Sequence, residues 1–304
     1  MNAYEHMLTL LRRYHALDAG GDRLSNEMLV GGHNVVRDFA RLKVGPPWVW
    51  SPRMEEFYAA TDSFVYELLV WHHTPLRIRW RRSFSRRIGQ LFPGGARVLC
   101  LGDGIAYDSC AIASHNANTR VTSFEFQGYS SAFGGRMIDD LALSERVEPL
   151  HDLGQIPSGA FDVVVCLDVL EHVPNPSQVI SNIASYLKPG GYLFLSEAFA
   201  WVLPTHPTHL ESNLRYVGRT ASLCRAAGLQ YRGVLVDRVL EFSAGMSAGS
   251  LAQGVARLRE AIQGTLARRY ATKRFRQTSA QGATDLVAGV SSEPSLYGGT
   301  VCAP

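Results

Sequence analysis

The stretch Arg97-Val-Leu-Cys-Leu-Gly-Asp-Gly-Ile-Ala-Tyr-Asp-Ser109 constrains the fold more than any other part of the chain. Val98 to Leu101 is a continuous apolar block, as in a parallel strand covered on both faces, and it stops at two glycines before a helical pattern opens. Gly102 and Gly104 permit backbone conformations that other residues avoid and let a ligand approach the main chain. Two further apolar strands end in acidic residues, Glu125 and Asp152, and strand ends of this kind are where an open α/β sheet takes its ligand.

From Arg97 onward, strands alternate with helical patterns, which requires crossover connections and a parallel sheet. Strands read at 97–101, 120–126, 146–150, 161–167 and 192–197, and Tyr231–Val236 with Val239–Phe242 form a closing hairpin, seven in all. Asn175-Pro176 opens the clearest crossover helix, Val179, Ile183 and Leu187 line its face, and Lys188-Pro-Gly-Gly191 is its expected stop. The fold class is therefore α/β, a doubly wound Rossmann-like seven-stranded sheet, over 93–245.

Residues 1–92 read as a helical N-terminal lobe covering the site. Its first helix carries Tyr4, Met7, Leu8, Leu11, Tyr14 and Leu17, and a second spans about residues 25–42 despite Gly31-Gly32. A third starts at Ser51-Pro52 and carries apolar residues from Met54 to Leu69. The fourth follows Pro75, with Trp80, Phe84, Ile88 and Leu91 on one face and Arg77, Arg79, Arg81, Arg82, Arg86 and Arg87 around the remainder. At the other end, 246–304 holds an amphipathic pattern through Leu251, Val255, Leu258, Ile262 and Leu266, then from about Thr278 a tail with little to bury.

A chain of 304 residues with 46% hydrophobic and 19% charged residues can bury one sizeable core and an accessory lobe, which excludes a fibrous or disordered class. Its net charge of +3 gives no overall attraction to nucleic acid. Five cysteines without a Cys-x-x-Cys pair point to reduced thiols and the cytoplasm, and no apolar run is long enough for a transmembrane segment.

The motifs Val98-Leu-Cys-Leu-Gly-Asp-Gly-Ile-Ala106, Val121-Thr-Ser-Phe-Glu-Phe126, His151-Asp-Leu153, Phe161-Asp-Val-Val-Val-Cys-Leu-Asp-Val-Leu-Glu-His-Val173 and Leu187-Lys-Pro-Gly-Gly-Tyr-Leu193 resemble the class I S-adenosylmethionine-dependent methyltransferases. The resemblance covers roughly residues 95–243 and implies sheet order 3-2-1-4-5-7-6 with S-adenosyl-L-methionine as cofactor. The residue chemistry agrees: Glu125 can accept both ribose hydroxyls and Asp152 the adenine amino group. Gly102, Asp103, Gly104, Phe126, Leu153 and Asp168 complete the expected cofactor set. A nicotinamide dinucleotide is disfavoured because Tyr107 stands where its pyrophosphate wants a third glycine. Two positions depart from the family: Cys100 replaces its acidic strand-end residue, for which Asp103 is the substitute, and Ala106 replaces its last turn glycine.

Methyl transfer from a sulfonium is an in-line displacement, and an alcohol acceptor needs a base or a metal to lose its proton. His206 and His209, after the fifth strand, and His172, after the fourth, are the candidate catalytic residues. Similarity to ubiquinone-pathway O-methyltransferases sharing Val-Leu-Glu-His-Val implies Asp168, Glu171 and His172 as ligands of Mg²⁺ or Mn²⁺. Trp201, Tyr58 and Tyr66 are candidates for an aromatic acceptor wall. The arginine helix could neutralise phosphates, but it lacks a stacking platform, so a nucleic-acid partner is disfavoured. Phe124 to Ser131 and the glycine turn look similar to methyltransferases of carbohydrate assembly, which ranks O-methylation of a saccharide or other small-molecule hydroxyl first. The alternatives are small-molecule N-methylation, an RNA methyltransferase using the arginine helix, and a non-catalytic cofactor-binding protein. The helical lobe is the expected homo-oligomer surface.

Overall fold

In the computed structural model, which describes residues 2–15, 21–245, 262 and 264–279, the apolar blocks become seven strands. They are β1 (Arg97–Leu101), β2 (Arg120–Phe124), β3 (Val147–Leu150), β4 (Phe161–Leu167), β5 (Leu187–Ser196), β6 (Leu229–Val236) and β7 (Val239–Ala244). The sheet order is β3-β2-β1-β4-β5-β7-β6, parallel through β5 and antiparallel at β7, so the expected topology is observed. Strand alternation divides the core in two: Val98 and Cys100 enter one cluster, while Leu99 and Leu101 enter the other.

Helices α1 (Ala3–Tyr14), α5 (Ser63–His72), α6 (Pro75–Leu91), α7 (Tyr107–His115) and α8 (Tyr129–Asp140) cover the first face. On it Met7, Leu11, Trp80 and Phe84 of the lobe join the same buried cluster as Val98, Val165 and Phe133. The N-terminal helices thus share a core with the sheet. The second face is closed by α9 (Pro176–Tyr186) and α10 (Thr220–Ala226).

Three helix expectations need correction. The helix over about 25–42 is two, α2 (Gly21–Leu29) and α3 (His33–Arg41), hinged at Gly32. Gly32 has φ of +79°, and a Cβ there would lie 2.2 Å from the Thr205 carbonyl oxygen, so the break is forced by a distant loop. The helix from Ser51 is also two, α4 (Pro52–Ala60) and α5, because Thr61 is extended and its hydroxyl donates to Asp38 at 2.9 Å. Lys188-Pro-Gly-Gly191 is part of β5, not a helix stop outside it: Leu187 pairs with Phe161 and Tyr192 with Val163, so the residues between them bulge.

Four of the six arginines of α6 are committed within the fold. Arg77 pairs with Asp108, Arg79 with Asp237, Arg87 with Glu241, and Arg81 donates to the His72 carbonyl. This leaves little of the helix for a phosphate backbone. Residues 264–279 form a further helix, α11. Leu251, Val255 and Leu258 lie outside the described residues, as do Cys302 and the tail beyond 279; Ile262 and Leu266 of the expected amphipathic helix are helical and exposed. The other four cysteines are buried free thiols.

Candidate active site

The glycine turn after β1 is built from backbone conformations that its residues dictate. Gly102 and Gly104 have φ of +71° and +60°, and both glycines are closely covered: a Cβ on Gly102 would meet Val169, one on Gly104 the methyl of Leu68 at 2.6 Å. Ala106, where the resembled family keeps glycine, is also left-handed at φ 59°, which costs a side-chain-bearing residue about 1–2 kcal/mol. The amides of Gly102 and Asp103 both donate to the Phe124 carbonyl, at 2.9 and 3.0 Å, locking the turn to the end of β2.

Glu125 extends that lock. Its two carboxylate oxygens accept the Gly104 amide at 2.8 Å and the Phe126 amide at 3.1 Å. Burial pushes its pKa up and these two amides pull it back down. A carboxylate has about four acceptor positions, so two remain for a pair of vicinal hydroxyls. Beside it the side chains of Phe126 and Leu153 are 55% and 41% exposed, two large apolar surfaces at neighbouring strand ends. Asp152 is exposed and accepts the Gly154 amide at 2.8 Å. These residues follow the ends of the adjacent strands β1, β2 and β3.

Asp103 is different. Its carboxylate turns beneath the loop, where Ser123 donates to it at 2.6 Å, and burial with the neighbouring Asp108 charge raises its pKa to about 7. This placement does not favour the expectation that it substitutes for the missing strand-end acid in holding the cofactor, because its side chain is buried and engaged by Ser123.

A second cluster lies beyond β4. The short helical turn Leu170–His172 is clasped by fully buried Asn213, whose amide donates to the carbonyls of Leu170, Glu171 and Val173. The histidine loop is held from the lobe: the Trp48 indole donates to the Leu203 carbonyl at 3.0 Å and the Trp48 amide to Pro207 at 2.8 Å. These supports bring His172, His206 and His209 together, with ring centroids of 4.6 Å for His172–His209 and 4.7 Å for His206–His209. His209 Nδ1 donates to the Trp201 carbonyl at 2.8 Å, so its lone pair is on Nε2. Tyr58 from α4 reaches His172 Nδ1 at 2.9 Å. Burial lowers all three imidazoles, His172 and His206 to about 4 and His209 well below its ordinary value, so each is neutral near pH 7.

The expected metal set is not the one assembled. Glu171, His172 and His209 bring ligand atoms within 4.8 Å of one another. Asp168 is drawn away: its Oδ1 accepts from Ser196 at 2.8 Å and from Arg238 at 3.0 Å, so its charge is already compensated. Glu171 is buried with Oε2 lacking a partner, and burial together with the Asp168 charge raises its pKa well above the usual range. One carboxylate and two imidazoles fit Mn²⁺ better than Mg²⁺, which prefers oxygen ligands. Tyr66 does not belong to an acceptor wall either: it is 1% exposed in the core under the Arg23 guanidinium. Tyr58 and Trp201 remain beside the histidines. Leu68, Arg238 and Asn213 stood in no motif, and Val169 stood inside the Phe161–Val173 motif with no role assigned, because each acts through a partner remote in sequence.

A family model described as a methyltransferase domain matches residues 87–217. The ubiquinone biosynthesis O-methyltransferase of Xanthomonas axonopodis pv. citri is 32% identical over 161 residues, covering 48% of this chain and 67% of the relative. The protein of the same name from Bordetella avium is 30% identical over 122 residues, covering 40% of this chain and 48% of the relative. The chain thus spans between about half and two thirds of the lengths of these relatives. A candidate O-methyltransferase structure from Nostoc punctiforme aligns over 74% of this chain and 72% of its own with a TM-score of 0.50 at 13% identity, a likeness of fold. With the sheet order and the glycine turn already described, these matches show that the chain belongs to the S-adenosylmethionine-dependent methyltransferase family.

Proposed function

We propose that the chain transfers a methyl group from S-adenosylmethionine to a hydroxyl oxygen of a small molecule, with the histidine cluster accepting the proton. The observation that carries this reading is the convergence of three neutral imidazoles with Tyr58 on the strand-end side of the sheet that also bears the glycine turn. The name O-methyltransferase of the relatives supports an oxygen acceptor. A saccharide is the narrower form of the proposal and rests on sequence resemblance alone.

The cofactor supplies an electrophilic methyl group on a sulfonium. For its part, the chain offers Glu125 to the ribose hydroxyls, Asp152 to the adenine amino group and the apolar surfaces of Phe126 and Leu153 to the ring. With the cofactor bound, its methyl carbon would pass to the acceptor oxygen and the carbon–sulfur electron pair would stay with sulfur, while the histidine cluster would take the hydroxyl proton on an imidazole nitrogen. His209 Nε2 is the atom suited to that step, since its Nδ1 donates to the Trp201 carbonyl and leaves the lone pair on Nε2. Burial of the cluster excludes water from the proton transfer.

A second reading is favoured by the Glu171, His172 and His209 donor set. There Mn²⁺ would polarise the acceptor oxygen and these three residues would hold the ion. Incubation of the protein with methyl-labelled cofactor and a metabolite extract tests the proposal: label is expected in a small-molecule product. His209→Ala is then expected to lower kcat on the order of 10²- to 10⁴-fold while cofactor affinity is kept. Activity unchanged by EDTA selects the histidine route, loss restored by Mn²⁺ selects the metal. Label confined to RNA or protein would refute the small-molecule assignment.

A further inference from the structure

Helix α11 presents two unlike faces. Gly264, Ala271 and Phe275 are buried against the body: Gly264 abuts the Gly218 backbone, and the Phe275 ring meets Trp48 edge to face at 5.2 Å. The opposite face carries a second apolar stripe, with Ile262, Leu266 and Tyr270 at four-residue spacing and 55%, 61% and 70% exposed. An ordinary surface helix has one apolar stripe, facing its core. The cations Arg269, Lys273 and Arg276 flank the outer stripe, exposed as well. With Arg268 and Arg274 there are five cations between 262 and 279 and no carboxylate, in a chain whose net charge is only +3. Arg268, Arg269, Lys273 and Arg276 also help line a concavity of about 620 Å³ along this helix.

We propose that the outer face of α11 binds an anionic phospholipid surface, with Ile262, Leu266 and Tyr270 inserting at the level of the headgroups and the cations meeting their phosphates. An apolar stripe bordered by cations and free of anions is the composition of a helix lying in the membrane interface. The charge pattern argues against other occupants. A second copy of the chain would set five like charges against their equals across a two-fold axis. Single-stranded nucleic acid would find the cations, but Ile262 and Leu266 offer no plane for base stacking. Through Phe275 and Trp48 the inner face of the helix is anchored next to the histidine loop, leaving the outer face turned away from the body. The inference stands independently of the methyltransferase reading.

The test is co-sedimentation of the full chain with vesicles of phosphatidylcholine alone or mixed with phosphatidylglycerol. Binding is expected to the mixed vesicles only, and to fall as salt is raised. The triple variant Arg269→Gln, Lys273→Gln, Arg276→Gln is expected to weaken it on the order of 100-fold, at the usual contribution of each cation near an anionic leaflet. Ile262→Ser, Leu266→Ser, Tyr270→Ser is expected to weaken it by at least about tenfold. All six side chains are exposed, so an unchanged thermal melt serves as the folding control, and single Lys273→Glu provides a milder variant with the same expected direction. Absence of binding, equal binding to both vesicles, binding indifferent to these variants, or retention on single-stranded RNA without vesicle binding would each overturn the proposal. So would self-association abolished by the apolar variant without vesicle binding.

Discussion

Replacing Glu125 by Gln separates the structural and binding roles of one carboxylate. In the native protein its two oxygens accept the Gly104 and Phe126 amides at 2.8 and 3.1 Å. Glutamine keeps one oxygen and presents an NH₂ group in place of the other, so one backbone amide must face a donor. A lost hydrogen bond to a charged group is worth about 1.5–3 kcal/mol. That loss falls on the free protein and should lower its stability by this amount. The same exchange removes acceptor positions for one of the two ribose hydroxyls, a further loss of similar size confined to the complex. The expected result is a dissociation constant for S-adenosylhomocysteine raised on the order of 10- to 100-fold. Calorimetric titration reads the affinity and a denaturant melt reads the stability. Affinity within about threefold of the native protein, with stability lowered as expected, would refute Glu125 as a ribose ligand while leaving its place in the turn intact.

Other outcomes follow from buried charge. Burial pushes the Asp62 carboxyl up, but hydrogen bonds from His15 and Arg23 outweigh it and hold the pKa at about 2, below the ordinary 3.8. That pair therefore contributes about 2 kcal/mol above pH 4, lost as pH falls from about 4 to 2; acid melts of Asp62→Asn should lack this component. Glu67 behaves oppositely: burial and the Glu27 charge raise it from 4.5 to about 8, so its contribution declines as pH climbs from 4.5 to 8. Glu67→Gln should accordingly raise the melting temperature at pH 8 more than at pH 5, and an equal or opposite effect at the two pH values would contradict that environment.

The parts legible in the sequence are those encoded locally. The apolar run of β1, the two glycines after it and the acidic ends of β2 and β3 sit within short windows, and all fell where expected. The order of the strands came with the family resemblance, since periodicity alone does not rank neighbours. What escaped is held by remote partners. Gly32 and Thr61 break helices because Thr205 and Asp38 lie against them, and no nearby residue announces that contact. Asp168 looked like a metal ligand next to Glu171 and His172 until Arg238, from the hairpin after β6, claimed its charge. His209 entered that group because Trp48 and Asn213 fold its loop back over β4. The amphipathic pattern through Ile262 and Leu266 was legible, but helical spacing identifies an apolar stripe without saying whether anything covers it, and here both side chains are exposed.

Calorimetric titration of the unmodified chain with S-adenosylhomocysteine and, in parallel, with NAD tests the central claim most directly. Saturable one-to-one binding of S-adenosylhomocysteine, displaced by S-adenosylmethionine and without heat from NAD, is the predicted result. Saturable binding of NAD with none of S-adenosylhomocysteine would contradict the assignment of Gly104, Glu125 and Asp152 to the cofactor.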